Sequence, residues 1–269
     1  MRLNKYISHN TKYSRREADK LIERGIVKIG RKIATDFSYQ VEKDDKVFIG
    51  QKPIIRKNKF TVLVYNKKKG ELVTKKDDRE RQVIFDSLPK RFGSFLPVGR
   101  LDFASEGLIL LTDSPSVATR LMQSNLERVY YLRVKGEISE LAQNAMKEGI
   151  FLEDATKGAF KDTKIYSMQI KPFLWFNIIK NRSDYSTIKL ALNEGQNREL
   201  RRFFAYFENE VVQLKRLEFG GVELGMLKDG KHRFLTTNEY ENLRKYLKDI
   251  ATKENKIKRA KQREERMGK

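Results

Sequence analysis

The sequence predicts an α+β protein with a small N-terminal domain and a larger second domain. Residues 1–50 combine two short helical patterns with brief strand patterns. Residues 51–59 carry a proline among basic side chains, which is typical of a linker. Residues 60–250 alternate aliphatic strands with amphipathic helices. The basic tail, residues 251–269, is expected to be either a solvated helix extension or disordered.

The charge of the chain indicates a large polyanionic partner. Among 269 residues, 57 Lys and Arg stand against 36 Asp and Glu, a net charge of +21 that is spread along the chain. A membrane surface is the alternative polyanion, but no apolar run approaches the ~20 residues that span a bilayer. The N-terminus lacks the apolar stretch of a signal peptide, so we expect a cytoplasmic protein.

Missing residue types narrow the chemistry. The sequence has no Cys, which excludes disulfides, thiolate nucleophiles and cysteine zinc sites. Two histidines, His9 and His232, are too few for a histidine-rich metal site and argue against a Ser-His-Asp triad. The glycine-rich patterns that bind nucleotide phosphates are missing, so no cofactor is expected. Any catalysis must rest on Asp, Glu, Lys, Arg or Tyr.

The predicted first domain has clear element boundaries. A capping box, with Ser14 at the N-cap and Glu17 three residues later, predicts the start of its second helix. Residues 27–33 predict a tight hairpin that turns at Gly30-Arg31. A short strand at residues 47–49 completes the unit.

The segment 98–113 places one carboxylate, Asp102, at the entrance to a predicted strand. Four consecutive aliphatic residues at 108–111 predict a buried strand, so Asp102 lies on the loop that leads into it. A rigid scaffold can present an acid at a cleft in this way. From the residues alone, such an Asp is more often a turn or cap residue. A helix is predicted from about Ser116, with Met122 on its buried face.

Later segments supply aromatic and basic side chains. Residues 128–135 predict a strand on which Tyr130 and Tyr131 face opposite sides. Residues 193–204 predict a turn and a helix that begins near Asn197, with three arginines at its start. Such arginines are generic phosphate ligands in the simplest interpretation, because the helix dipole disfavours cations there. Six aromatic residues between 150 and 185 are assigned mainly to the core, with stacking on single-stranded bases as the alternative. These residues are Phe151, Phe160, Tyr166, Phe173, Trp175 and Phe176.

Two of these segments resemble the catalytic motifs of the ribosomal RNA pseudouridine synthases of the RsuA/RluB group. The first is Gly-Arg-Leu-Asp at residues 99–102, followed by 107–113. The second is the pattern Glu-Gly-x-Asn-Arg-x-x-Arg-Arg at residues 194–202. Tyr130 matches the active-site tyrosine of the family. The chain departs from the family pattern at Lys68, where a proline is usual, and this departure loosens a turn without touching the proposed chemistry.

Residues 1–50 resemble the S-four RNA-binding domain, first seen in a ribosomal protein. The resemblance rests on Arg-Leu-x-Lys-Tyr-Ile at residues 2–7, Ser-Arg-Arg-Glu-Ala at 14–18 and Ile-Val-Lys-Ile-Gly at 26–30. It implies a basic surface that holds RNA phosphates; the alternative is an ordinary solvated basic face. The predicted RNA contacts are Arg2, Lys5, Arg15 and Arg16.

The resemblance implies both an architecture and a reaction. The S-four domain would be joined by the linker to a catalytic domain, residues 60–250, built on a mixed, mostly antiparallel sheet. The enzyme would isomerise a uridine in place, changing its N-glycosidic bond to a C-glycosidic bond. No cofactor or metal is implied, and the target uridine must first be flipped out of its stack.

The resemblance also assigns roles to residues. Asp102 would attack as a nucleophile, or assist a proton removal that gives a glycal intermediate. Tyr130 would stack on the flipped base and can transfer a proton. Arg201 would keep Asp102 ionised, because a neighbouring guanidinium favours a carboxylate. The expected RNA contacts of this domain are Arg100, Arg198 and Arg202.

The expected partner is ribosomal RNA or a pre-ribosomal particle, bound by a monomeric protein. The motifs look closer to the RluB-like branch, which favours large-subunit (23S) RNA over the alternative, small-subunit (16S) RNA. A non-catalytic ribosome-associated RNA-binding protein would have the same charge, but little reason to keep Asp102, Tyr130 and Arg201. Methyl transfer is a further alternative that no glycine-rich cofactor loop supports.

Overall fold

The computed structural model describes residues 1–11, 13–42, 44–55 and 60–267, with side chains described up to residue 252. Within these ranges no helix combines the length and the apolarity that crossing a bilayer requires.

The N-terminal unit packs two helices on a small sheet. Its elements are α1 (Leu3–Asn10), α2 (Arg15–Glu23), β1 (Val27–Ile29), β2 (Lys32–Ile33), β3 (Val47–Ile49) and β4 (Lys52–Pro53). The strands are antiparallel in the order β2-β1-β3-β4. The predicted capping box is confirmed, since the Ser14 hydroxyl accepts from the Glu17 amide and the Glu17 carboxylate accepts from the Ser14 amide. Leu3, Ile7 and Ile22 anchor its core.

The start of the predicted linker belongs to this sheet. Lys52 and Pro53 pair with Ile49 and Phe48, so the prediction of a linker is wrong for these two residues. A proline is tolerated there because β4 is an edge strand and needs no outward amide. Residues 56–59 of the predicted linker lie outside the described residues.

The second unit is built on one large sheet. Its strands are β5 (Val62–Lys67), β6 (Leu96–Pro97), β7 (Glu106–Thr112), β8 (Arg128–Lys135), β9 (Ile150–Leu152), β10 (Met168–Ile170), β11 (Trp175–Lys180), β12 (Tyr185–Leu192), β13 (Val211–Phe219), β14 (Val222–Glu223) and β15 (His232–Phe234). Its helices are α3 (Pro115–Met122), α4 (Glu140–Glu148), α5 (Glu199–Tyr206) and α6 (Thr237–Met267), with a 3₁₀ turn at Lys90–Phe92.

The nine-stranded sheet has the order β11-β12-β8-β13-β7-β5-β15, with β6 beside β7 and β14 beside β13. Of the strand pairs that the structure describes in this sheet, β7 and β13 alone run parallel. The predicted α+β fold with a mixed, mostly antiparallel sheet is confirmed. Strands β9 and β10 form a separate antiparallel pair. Because β13 lies between β8 and β7, it joins the two halves of the sheet.

Gly107 permits the parallel contact between β7 and β13. Its φ is +100°, and a Cβ at this position would collide with the backbone of Arg216. Glycine alone lacks that atom and adopts this φ without strain. The close approach sets the loop of Asp102 against β13.

In the half of the sheet that contains β5 and β7, these two strands are buried on both faces. On β7, Leu108 and Leu110 pack with helices α3 and α6, whereas Ile109 and Leu111 pack with the segment that follows β5. Helix α3 begins as predicted, but Met122 at its end is 46% exposed and not buried. Met122 lies on the last turn of the helix, beside the cavity described below.

The assignment of the aromatic residues between 150 and 185 to the core is wrong for most of them. Phe173 is buried and Phe176 is partly buried, but the other four are exposed by 38% or more. These four are Phe151, Phe160, Tyr166 and Trp175. Phe151 and Trp175 lie on solvent-facing sides of β9 and β11, and Phe160 and Tyr166 lie on the loop between β9 and β10.

The basic tail continues the last helix. The backbone of α6 is helical from Thr237 to Met267, which favours a helix extension over disorder for the residues that the structure describes. Its first turns pack on the sheet through Leu243 and Leu247.

Candidate active site

A cavity of about 390 Å³ opens beside the strand that joins the two halves of the sheet. Its walls come from the loop before β7, the starts of β8 and α5, and the last part of β13. The charged and phenolic side chains that line it are Arg100, Asp102, Arg128, Tyr130, Arg198, Glu199, Arg201 and Arg216. Two carboxylates therefore share the cavity with five guanidinium groups and one phenol.

The structure holds Asp102 on a short loop whose flanks are buried. Leu101 is 7% and Ser105 2% exposed, and the Ser105 amide donates to the Asp102 carbonyl at 3.0 Å. Lys67, which is fully buried, donates from Nζ to the Ser105 carbonyl. Burial lowers the pKa of Lys67 to about 8, while the charges of neighbouring carboxylates oppose that shift. The Asp102 side chain stays 28% exposed and reaches the cavity.

Arg201 is fixed by four contacts. Its Nη1 donates to the Val211 carbonyl at 2.9 Å, and its Nη2 donates to the Ala104 carbonyl and the Ser105 hydroxyl, both at 3.2 Å. Its Nε lies 3.9 Å from Asp102 Oδ2 and has no hydrogen-bond partner. The guanidinium thus ties α5 to the loop of Asp102 and keeps one N–H free beside the carboxylate.

Arg198 is the closer of the two arginines to the carboxylate. Its Nη1 lies 3.4 Å from Asp102 Oδ2, and its Nε donates to the Gly158 carbonyl at 2.7 Å. It precedes α5 with a left-handed backbone, φ 53°, a conformation that is uncommon outside glycine. We predicted an RNA contact for Arg198; the structure brings it to Asp102 together with Arg201.

Tyr130 lies in the wall of the same cavity. It is 7% exposed on β8, opposite Leu190 of β12 and Arg216 of β13. Tyr131 is half-buried, and strand alternation turns it to the other face. The structure therefore brings Asp102, Tyr130 and Arg201 together, as the motifs suggested.

Arg202 does not reach the cavity surface, which contradicts the prediction that it contacts RNA. It is 1% exposed, and its guanidinium donates to the loop between β9 and β10 and to Asn197. Its acceptors are the carbonyls of Asn197, Ala155 and Ile165, the side-chain oxygen of Asn197 and the hydroxyl of Thr163. With five acceptors in place, no donor is left for a phosphate.

The remaining predicted RNA contacts lie at the surface. Arg100 is exposed at the rim of the cavity. In the N-terminal unit Arg2, Arg15 and Arg16 are exposed and Lys5 is half-buried. Their contact with RNA stays a prediction.

Sequence reasoning missed three buried charges of the cavity, Arg128, Glu199 and Arg216. Arg128 donates to three backbone carbonyls, and its guanidinium lies 4.9 Å from the ring centre of Phe219. Arg216 donates from Nε to a carbonyl of β7 and lies 5.5 Å from the same ring. Strand alternation could have found Arg128, because it shares a face with Tyr130.

Glu199 is a buried carboxyl group at the first position of α5. It is 4% exposed, and its Oε2 accepts from the Gln196 amide at 2.9 Å. Burial raises its pKa from 4.5 to about 7, an effect that the Gln196 hydrogen bond opposes. The group therefore titrates near neutral pH inside the cavity wall.

We expect Glu199→Gln to stabilise the protein at pH 8 and to leave it unchanged near pH 4.5. A raised pKa means that the native state holds a proton that the unfolded state releases, so stability falls as pH rises from 4.5 to about 7. Glutamine cannot ionise, so above pH 7 the variant should have a free energy of unfolding up to about 3 kcal/mol higher than that of the wild type. Denaturant unfolding of both proteins at the two pH values measures it. An equal difference at both would contradict the buried carboxylate as its cause.

Comparison with known proteins identifies both units. Residues 61–206 match the RNA pseudouridylate synthase family, and residues 1–47 match the S4 domain. The chain is 48% identical to an uncharacterized RNA pseudouridine synthase of Helicobacter pylori, over 93% of this chain and 96% of that protein. It is 33% identical to ribosomal large subunit pseudouridine synthase B of Bacillus subtilis, over 90% and 95%. A crystal structure of a pseudouridylate synthase aligns with a TM-score of 0.61 and 27% identity, over 90% of this chain and 99% of that one. The chain therefore belongs to the RNA pseudouridylate synthase family and carries an S4 domain at residues 1–47.

Proposed function

We propose that this pseudouridine synthase converts one specific uridine of ribosomal RNA to pseudouridine, with Asp102 as the nucleophile. The observation that carries the proposal is the placement of Asp102 Oδ2 between the guanidinium groups of Arg198 and Arg201, at 3.4 and 3.9 Å. Tyr130 lies in the wall of the same cavity. A carboxylate that is partly exposed and held by two fixed cations is suited to attack an electrophilic carbon.

The reaction conserves all atoms of the nucleotide. The Asp102 carboxylate attacks C1′ of the ribose, and the electron pair of the C1′–N1 bond leaves with the uracil. The uracil turns within the cavity, its C5 bonds to C1′, and the bond to Asp102 breaks. The proton on C5 is then lost, and N1 gains a proton. Because nothing is oxidised or added, we propose no cofactor.

Each neighbour of Asp102 has a proposed part in this reaction. Arg198 and Arg201 place positive charge beside the carboxylate and hold it in one orientation. Tyr130 stacks on the uracil, which must leave its helix to enter the cavity, and its hydroxyl can carry a proton. Arg100 at the rim holds a phosphate or fills the space that the flipped base vacates.

Large-subunit RNA is the proposed substrate. The Bacillus subtilis relative is named for the large ribosomal subunit and matches nearly the full length of this chain. The net charge of +21 and the S4 domain support a large RNA, free or in a pre-ribosomal particle. We propose that the enzyme acts in the cytoplasm as a monomer.

Pseudouridine mapping of ribosomal RNA tests the proposal. We expect cells that lack this protein to lose one pseudouridine from the 23S RNA, and a copy of the wild-type gene to restore it. Loss of a site from the 16S RNA would instead assign the small subunit. Persistence of every pseudouridine, with no other synthase modifying the same site, would favour a non-catalytic RNA-binding role.

A further inference from the structure

Phe160 is an exposed aromatic residue next to the catalytic carboxylate. Its side chain is on the β9–β10 loop, residues 153–167, and is 59% exposed. The Arg198 guanidinium carbon lies 4.3 Å from the centre of its ring, and Nη1 of the same guanidinium lies 3.4 Å from Asp102 Oδ2. One guanidinium group therefore separates an open aromatic ring from the proposed nucleophile.

The position of the β9–β10 loop is fixed by the helix that carries the catalytic arginines. Arg202 donates to the Ala155 and Ile165 carbonyls and to the Thr163 hydroxyl, at both ends of the loop. Gly158 has φ +70°, and a Cβ there would collide with the Arg201 carbonyl oxygen. The loop packs closely on the start of α5. The buried contacts of Arg202 and Gly158 therefore fix the position of Phe160.

The surroundings of Phe160 suit single-stranded RNA. The same loop exposes a second aromatic residue, Tyr166, whereas its three lysines are balanced by three carboxylates, Glu153, Asp154 and Asp162, so the cation at the Phe160 ring is the Arg198 guanidinium. Exposed aromatic rings among cations are the features on which unpaired bases stack. A uridine that enters the cavity leaves its stack, and the bases beside it lose a stacking partner.

A structural role alone does not account for the exposure of the ring. The Arg198 side chain is already held by two acceptors, the Gly158 carbonyl and Asp102 Oδ2. Phe160 is therefore not needed merely to hold Arg198 in place. Arg198 stacks on the ring, yet more than half of the side chain remains open to solvent. A planar base on that open surface would extend the stack of guanidinium and ring.

We propose that Phe160 binds RNA by stacking on an unpaired base that flanks the target uridine, and so helps to hold the flipped conformation at Asp102. This inference rests on the proposed function and names a residue that contacts the substrate outside the cavity. The contact contributes to RNA affinity and not to the bond-making steps, because the ring itself is separated from Asp102 by Arg198.

A fluorescent variant tests the contact directly. Trp175 is the single tryptophan of the chain, so Phe160→Trp in a Trp175→Phe background reports on position 160 alone. We expect its emission to be quenched when ribosomal RNA, transcribed in vitro, is added. Phe151→Trp in the same background is the matched control, since Phe151 is 54% exposed but does not contact Arg198 or line the cavity. Unchanged emission at position 160, or equal quenching at both positions, would overturn the proposal.

Kinetics separate binding from positioning. We expect Phe160→Ala to raise the RNA concentration for half-maximal rate about 10- to 100-fold, as the loss of one stacked base predicts, with the rate at saturating RNA within about threefold of wild type. Phe160→Tyr should restore the affinity. A reduced rate at saturating RNA with unchanged affinity would show that Phe160 acts through Arg198 and would overturn the proposal. If the wild-type protein forms no pseudouridine in the same transcript, the proposed function fails, whereas the fluorescence result still decides the RNA contact.

Discussion

Asp102→Asn should reduce pseudouridine formation by about 10⁴-fold or more, the size of effect seen when the reacting group of an enzyme is removed. Asparagine fills the same space and can accept hydrogen bonds, but its amide cannot attack C1′ or leave again as a carboxylate. The side chain is partly exposed, so the substitution creates no cavity in the core. The rate is measured in a single turnover on transcribed ribosomal RNA that carries tritium at C5 of uridine, because the isomerisation releases that hydrogen.

RNA binding by Asp102→Asn should be retained. The substitution removes a negative charge from a basic cavity, so affinity for RNA should stay the same or increase. Asp229→Asn is the matched control, since Asp229 is exposed, pairs with Lys215 and does not line the cavity. Activity of Asp102→Asn within tenfold of that control would rule out Asp102 as the reacting group.

Arg202→Met should lower the free energy of unfolding by about 3–5 kcal/mol, because several buried oxygens would each lose a hydrogen bond from a charged donor. Methionine has no donors, so the acceptors on the β9–β10 loop and at Asn197 would be left buried without partners. Denaturant unfolding followed by circular dichroism measures the loss, and wild type is compared in the same buffer.

Arg198→Met provides the contrast, four residues earlier in the chain. That side chain donates one hydrogen bond to a backbone carbonyl, at Gly158, so about 1 kcal/mol of stability should be lost, together with most of the activity. If Arg202→Met instead kept wild-type stability and made RNA affinity less dependent on salt, Arg202 would be a phosphate contact after all.

Local signals in the sequence predicted the parts of the fold that local contacts determine. The capping box at Ser14 forms because both of its partners lie within three residues. The strand at 108–111 and the helix after Asn197 carry runs and stripes of apolar residues that have one stable placement. The exposed positions of Phe160 and Trp175 were not predictable in this way, because the pairing of β9 with β10 and the edge position of β11 decide which side chains meet solvent.

Family resemblance, and not local physics, led to Asp102, Tyr130 and Arg201. The structure brings these three to one cavity, although Tyr130 lies 28 positions and Arg201 lies 99 positions after Asp102 in the chain. The resemblance set Arg201 apart from the other two arginines of the second motif, but it gave Arg198 and Arg202 the same role. Arg198 and Arg202 are four residues apart, yet one faces Asp102 and the other is buried under the β9–β10 loop. Only the path of the β9–β10 loop, which closes over Arg202, makes this distinction.

The central position of β13 in the sheet bears on when the active site forms during folding. The loop of Asp102 belongs to the half that contains β5 and β7, and Tyr130 belongs to the half that contains β8 and β12. Strand β13 follows β5, β7, β8 and β12 in the chain, and its pairings close loops of many residues, a slow kind of contact to form, so we expect it to join the halves late. A nascent chain that ends before β13 lacks the strand that pairs with both β7 and β8, and it also lacks β15, which pairs with β5. Because β13 supplies part of the cavity wall, we expect the protein to become active only after this strand has been synthesised.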